Sequence, residues 1–340
     1  MSSTFRYPVT VVIGRWQLPH LAHKALIEHA FAAGERVMIV IGSSFRSRND
    51  KNPFREFERR AMLESMLTQA QRARVEFVFV RDYYDDRRWA DVLREEVRAR
   101  AAGQRVGLVG FKKDASGYYL DLFPDWAYED AGSIQPLDAT RLRDVYFGEG
   151  SLSSSIQVLE PYVDPGVLDY LRSWAALPEY EVRRAEHQAI KRYKAKYTGP
   201  YFLTADSVLQ VNDHVLLIKR GGEMGHGQWA LPGGFVDPGE QFYDAAVREL
   251  NEETRFAALP GVMRAALKSS AVFDHPDRSP RGRLITQAFH FRFSRDELPQ
   301  VQGADDAKEA VWWPIEGLSE IEADLFEDHA VILDHFFGFR

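Results

Sequence analysis

Val9-Thr10-Val11-Val12-Ile13-Gly14-Arg15-Trp16-Gln17-Leu18-Pro19-His20-Leu21-Ala22-His23 carries the chain from a β-branched strand, through a glycine, into the first turn of a helix. Residues 9–13 read as a strand because β-branched side chains suit a pleated surface. Leu21–Ala33 follows with helical apolar spacing and meets Gly34 as its stop. The alternation continues with strands at 36–41, 75–80 and 105–110 and helices at 54–71 and 87–101. Strands alternating with amphipathic helices predict right-handed βαβ units and a parallel sheet, the α/β class. Helices near 138–147 and 164–173 complete a first domain, residues 1–180.

In an open parallel sheet, ligands bind outside the carboxyl ends of the strands, at the N-termini of the helices that follow. Gly14 stands at such an end and lets the backbone approach a ligand closely. His20 and His23, spaced i, i+3, project from one face of the first helical turn toward the same anion. That arrangement suits phosphoryl or nucleotidyl transfer, where fixed donors stabilise charge growing on phosphate oxygens.

Residues 181–200 are charged and helical up to the break at Thr198-Gly199-Pro200, and form the expected connector. Beyond it, residues 201–340 turn strand-rich, with strands at 202–211, 214–219, 265–273, 283–293 and 310–313 and a last helix at 321–337. Within this second domain, Gly234 and Glu240 lead to Arg248-Glu249-Leu250-Asn251-Glu252-Glu253-Thr254-Arg255-Phe256. On a helix, Glu249, Glu252 and Glu253 stand at i, i+3 and i+4, a stripe of like charge that a bound divalent cation would offset. Arg248 is placed to pair with Glu252.

Composition narrows the field. The 340 residues carry 43 Lys+Arg against 50 Asp+Glu, a net charge of −7, which argues against broad electrostatic binding to nucleic acid or an anionic membrane. The absence of cysteine excludes disulfides, thiolate metal sites and cysteine nucleophiles. No run of about 18 apolar residues reads as a membrane span, and the first residues lack the apolar core of a signal peptide, so a cytoplasmic location is expected. A homo-oligomer is left open.

The first cluster resembles the G-x-x-x-x-x-H-x-x-H signature of the nucleotidyltransferase superfamily, and Leu137-Asp138-Ala139-Thr140-Arg141-Leu142-Arg143 resembles its second signature, I-S-x-T-x-x-R. Asp138 stands where that signature has Ser. Asn52-Pro53-Phe54 through Glu58-Arg59, Asp82-Tyr83-Tyr84 with Trp89, and Gly110-Phe111-Lys112-Lys113-Asp114 resemble segments of the nicotinamide mononucleotide (NMN) adenylyltransferase branch. The second cluster resembles the Nudix box, G-x5-E-x7-R-E-U-x-E-E-x-G-U, except that Arg255 stands where the box has Gly. Together they resemble the bifunctional NMN adenylyltransferase/Nudix hydrolase family. The resemblance implies a Rossmann-like nucleotidyltransferase domain joined to a Nudix α/β/α sandwich.

It implies NAD synthesis from ATP and NMN at the first site. His20 would act on the α-phosphate, and His23, Thr140 and Arg143 on the triphosphate and departing pyrophosphate. Gly14, Arg15, Lys112 and Asp114 would lie around the nucleotide, Arg59, Tyr83 and Trp89 around the acceptor, and Mg²⁺ would arrive on ATP. At the second site it implies hydrolysis of ADP-ribose with Mg²⁺ or Mn²⁺ on Glu249, Glu252 and Glu253, supported by Glu240. Arg278, Arg281 and Arg283 are suited to a diphosphate or a terminal ribose phosphate. The alternative is an adenylyltransferase for another phosphate acceptor, fused to a Nudix module that senses ADP-ribose without hydrolysing it.

Overall fold

The computed structural model describes residues 5–111, 115–132 and 137–340, with only the backbone of 115–118. Contacts divide the chain into two compact units, one comprising residues up to Phe45 with Lys51–Arg184, the other Arg46–Asp50 with Ala185–Arg340. The division falls inside the helix expected as a connector.

The first unit is built from β1 (Tyr7–Gly14), α1 (Leu21–Ala33), β2 (Gly34–Ile41), α2 (Glu56–Ser65), the single turn α3 (Gln69–Arg72), β3 (Val75–Phe79), α4 (Asp86–Ala101), β4 (Val106–Gly110) and β5 (Ala127–Asp130). Then come α5 (Ala139–Tyr146), α6 (Leu152–Leu159), α7 (Pro165–Trp174) and the start of α8 (Pro178–Lys196). The strands lie in the order β3-β2-β1-β4-β5 and every pair is parallel. Alternate β1 residues serve opposite faces. Val12 packs into a cluster with Leu26, Ile27 and Phe31 of α1, whereas Val9, Val11 and Ile13 pack with Leu93 and Val97 of α4. Helices therefore cover both faces, and the strand order reverses between β1 and β4, where a sheet of this kind opens its binding crevice.

The predicted helix at 54–71 is two pieces. Thr68 caps a new turn, its hydroxyl accepting from Gln71 N while the Gln71 side chain accepts from Thr68 N, a reciprocal pair that restarts the helix as α3. Gly34 ends α1 with extended backbone, φ −116°, and not in the left-handed region. Glycine is needed there because a Cβ would collide with the Thr10 side chain.

The second unit continues α8 into β6 (Phe202–Val211), β7 (His214–Arg220), β8 (Trp229–Ala230), β9 (Gly233–Phe235), α9 (Phe242–Thr254), α10 (Pro260–Ala266), β10 (Leu267–Phe273), β11 (Leu284–Phe293), β12 (Ala307–Pro314) and α11 (His329–Phe337). The sheet runs β10-β11-β6-β7-β12, with β8 on β7 and β9 on β6, and β6–β11 is its parallel pair. Ala205, Leu209 and Val211 face Ala245, Ala246 and Leu250 of α9, while Val208 and Val215 face Ile332 and Leu333 of α11. A mixed sheet between helical layers is the expected sandwich. The predicted last helix at 321–337 is broken. Leu325 bridges to Trp229 and Phe326 N donates to Trp229 O at 2.7 Å, so this stretch extends along β8 before α11 begins. Among the described residues, no helix is long and apolar enough to cross a membrane.

Gly34→Ala should destabilise the first unit by about 1–3 kcal/mol through overpacking against Thr10. The check is a lower urea midpoint for that unit, with the second unit's transition unmoved.

Candidate active sites

The loop between β1 and α1 builds the first site at the switch point of the parallel sheet. His20 is the N-cap of α1, buried, with Nδ1 accepting from His23 N at 3.4 Å. The two imidazoles stack, centroids 3.6 Å apart and planes 13° from parallel, and the Trp16 ring meets His23 edge-on at 4.9 Å. Burial, and then the neighbouring His20, hold the His23 ring well below the ordinary histidine range, so it is neutral at pH 7. His23 Nδ1 is buried without a hydrogen-bond partner. A buried polar atom in that state points to a group that the site receives.

Arg143 reaches this loop from α5. Its Nη1 donates to Gln17 O at 2.9 Å and its Nη2 to Thr140 Oγ1 at 3.3 Å, so the second signature lies against the first. Asp138, at the usual Ser position, caps α5 by accepting from Thr140 N at 2.8 Å. The Arg15 side chain is exposed at the strand end, and Gly14 is wrapped by Trp16, on whose ring a Cβ would intrude. Trp89 is partly buried, edge-on to Tyr119 at 6.3 Å and to Phe123 at 5.7 Å. Tyr119 in turn donates to Ile13 O at 3.5 Å, beside Gly14. Tyr83 carries the Arg88 guanidinium over its ring at 4.4 Å. Lys112 and Asp114 lie outside the described residues.

Arg59, expected around the acceptor, is 1% exposed, and its guanidinium donates to backbone carbonyls of the loops after β1 and β2. Sequence reading also passed over Gln17. Its buried side chain both donates to Phe54 O at 3.0 Å and accepts from Phe54 N at 3.2 Å, fixing the loop's depth. A polar residue between Trp16 and Leu18, both fully buried, was the available signal.

In the second unit, α9 presents the carboxylate stripe. Arg248 is its organiser. It donates to Glu240 at 2.9 and 3.0 Å, to Glu249 at 2.8 Å, to Glu252 at 3.0 Å and to Phe235 O at 3.0 Å. These bonds, that of Glu240 foremost, raise the Arg248 pKa. Glu253 is buried, accepting from Gly233 N at 2.9 Å, and burial pushes its carboxyl up to about 8. Burial also raises Glu249 despite Arg248. Gly234 must lack a side chain because a Cβ would strike the Glu249 carboxylate, and on the other side of the ribbon Gly233 is pressed by Asp206 in the same way.

A pocket adjoins Glu253, lined among others by Asp206, Arg220, Gly233, Phe235, Arg278 and Arg281. The arginines expected to await a phosphate are already matched. Arg278 is a two-bond partner of Asp328, 2.9 Å each, and also meets Thr286. Arg281 pairs with Glu327 at 3.0 Å, and Arg283, partly exposed, turns to Asp274. Burial drives the Asp206 carboxyl up to about 7. Arg220 forms no ion pair among the described residues, its Nε donating to Met224 O and its guanidinium lying 4.2 Å over Phe326. Asp206 is the one charge within β6, a signal the sequence carries, whereas Arg220 ends β7 beside Lys219 and has no such mark.

Two family models match the chain, a cytidylyltransferase-like domain over residues 11–100 and a NUDIX domain over residues 201–336. A nicotinamide/nicotinic acid mononucleotide adenylyltransferase of Acinetobacter baylyi is 32% identical over 187 residues, 54% of this chain and 96% of that protein. An ADP-ribose pyrophosphatase of Methanocaldococcus jannaschii is 32% identical over 156 residues, 46% of this chain and 84% of that protein. Across both halves, the crystal structure of a bifunctional NMN adenylyltransferase/ADP-ribose pyrophosphatase from Francisella tularensis, complexed with AMP and a manganese ion, matches at a TM-score of 0.89. It is 33% identical and covers 98% of this chain and 99% of that one. The chain belongs to this bifunctional family.

For a family whose Francisella member carries manganese, the residues present suit a hard divalent ion. Three carboxylates, Glu240, Glu249 and Glu252, gather round the single guanidinium of Arg248, with the buried Glu253 beside them on α9, an excess of carboxylate that burial makes costly. Among the described residues, no three such side chains are already closed into an ion-binding group, because Arg248 engages Glu249 and Glu252. Arg255, at the box position for Gly, has φ 58° and ψ 9°, the left-handed geometry that a helix-closing glycine adopts.

Arg255→Gly should therefore raise the second unit's stability by about 1 kcal/mol, read from its urea midpoint. A second outcome concerns pH. The unfolded chain releases the Glu253 proton near the ordinary glutamate value of 4.5, but the folded chain keeps it to about 8. Rising pH thus favours unfolding across that window, and stability falls until the folded group has also ionised. Glu253→Gln should flatten this fall in thermal unfolding measured with chelator present.

Proposed function

We propose that the protein transfers AMP from ATP to NMN at its first site and hydrolyses ADP-ribose at its second. The observation that carries this reading is the presence, in one chain matching a bifunctional relative nearly end to end, of a histidine–arginine loop at the sheet's switch point and a carboxylate stripe on α9.

At the first site, an oxygen of the NMN phosphate attacks the α-phosphorus of ATP. The bond to the β-phosphate breaks, and NAD and pyrophosphate result. No protein nucleophile is required, so positioning and charge stabilisation supply the rate. His20 stands at the helix N-terminus, where an anion is favoured. His23 would direct its unpartnered nitrogen and Arg143 its guanidinium to the phosphate chain, with Thr140 steadying Arg143. Gly14, Arg15, Lys112 and Asp114 would border the nucleotide, and Trp89, reaching the end of β1 through Tyr119, would border the nicotinamide.

At the second site, water attacks the diphosphate of ADP-ribose and a P–O bond breaks to release AMP and ribose 5-phosphate. Glu249, Glu252 and Glu253 would hold Mg²⁺ or Mn²⁺, with Glu240 anchoring Arg248 behind them. When bound, the ion supplies Lewis acidity and a more acidic water. Asp206 and Arg220 line the pocket beside Glu253 and would face the sugar half of the substrate.

His20→Ala should lower NAD formation by about 10²–10³-fold, the range for removing one transition-state donor. ADP-ribose hydrolysis should be unchanged in that variant. Glu252→Gln should do the reverse. Both reactions are measured on both variants, NAD formation with a panel of phosphate acceptors and hydrolysis as AMP release with added Mg²⁺ or Mn²⁺. Binding of ADP-ribose without AMP release would make the second unit a sensor, and turnover of a different acceptor would reassign the first.

A further inference from the structure

Arg59 lies on α2, and neither hydrolysis nor the phosphate contacts above have any use for it. Its guanidinium joins two loops. Nη1 donates to Arg15 O and to Gly42 O, each at 2.6 Å, and Nη2 donates to Ser43 O at 3.0 Å. Arg15 follows β1 and Gly42-Ser43 follows β2, so one side chain ties together the carboxyl ends of two neighbouring parallel strands. Those ends would otherwise leave buried carbonyls without donors, since Gly42 N→Gly14 O at 2.9 Å is the last backbone bond between them.

The same two loops hold unusual backbone. Trp16 (φ 53°), Leu18 (φ 71°), Ser43 (φ 50°) and Phe45 (φ 61°) are all left-handed without being glycine. Such residues persist only where the surroundings over-determine them, and they gather at ligand clamps. Trp16 and Leu18 lie within the stretch that aims His20, and Trp16 packs directly on His23. A lysine would bring its donors from one point and could not span the three carbonyls, whereas the planar fork does.

We propose that Arg59 is the positioning residue of the adenylyl-transfer site: it touches no substrate but clamps the β1 and β2 loops so that His20 meets the α-phosphate. The inference rests on the adenylyl-transfer reading given above. The test uses the full-length protein and two variants, Arg59→Lys and Arg59→Ala, assayed for both reactions. In Arg59→Lys, kcat for NAD formation should fall about 100-fold, as for a misplacement near 1 Å, while KM for ATP and NMN stays within about threefold. ADP-ribose hydrolysis should not change. In Arg59→Ala, guanidinium chloride at low, non-denaturing concentration should restore NAD formation at least about tenfold, which a general loss of folding would not allow.

Unchanged kcat in Arg59→Lys overturns the proposal, as does a rise in KM at constant kcat, which would make Arg59 a ground-state binding residue. Should Arg59→Ala fail to fold, the kcat-against-KM split in Arg59→Lys decides alone. A wild-type protein that hydrolyses ADP-ribose but makes no NAD would sink the underlying activity reading, a result distinct from any variant's behaviour.

Discussion

Oxygen atoms crowd both sites, and in each a guanidinium keeps them in place. In the first unit these are backbone carbonyls at the ends of parallel strands, bound by Arg59 and by Arg143. In the second they are carboxylates on and before α9, bound by Arg248. Arginine suits both tasks because its donors are planar, spread apart and always charged. The difference lies in the ratio of donors to oxygens. In the first unit each guanidinium meets neutral carbonyls, whereas in the second three carboxylates share one guanidinium.

Glycine performs the complementary role. Gly14, Gly34, Gly233 and Gly234 each stand where a Cβ would enter a neighbouring side chain, and none of them has a left-handed backbone. Their use is close approach. Left-handed backbone around the two sites falls on Trp16, Leu18, Ser43, Phe45 and Arg255, residues that bear strain which glycine would relieve, as well as on Gly239. In the first unit Trp16 and Leu18 lie in the loop between β1 and α1, where the packing of Trp16 and the bonds of Gln17 hold them, and Ser43 lies in the loop after β2.

Much of this was legible in the chain. The βαβ rhythm, the spacing of His20 and His23, and the three glutamates of α9 all follow local periodicities that the sequence displays directly. Arg255 stands out in the sequence as the one departure from its motif, and it closes α9 in left-handed backbone all the same. Arg59, Arg278 and Arg281 were not legible, for a common physical reason. An arginine in a motif has the same letter whether it faces a ligand or a buried oxygen, and only the partners Ser43, Asp328 and Glu327, distant in sequence, tell the two apart. Thr68 and Leu325 interrupted predicted helices through a side-chain cap and a strand contact, neither of which alters hydrophobic spacing.

Gly233 and Gly234 form a partition only one backbone thick. The Glu249 carboxylate presses on one surface and Asp206 on the other, while Glu253 reaches Gly233 N between them. So thin a wall, with no side chains of its own, gives almost no electrical insulation. The charge of Asp206 is therefore felt across it, adding to the burial that raises the Glu253 carboxyl.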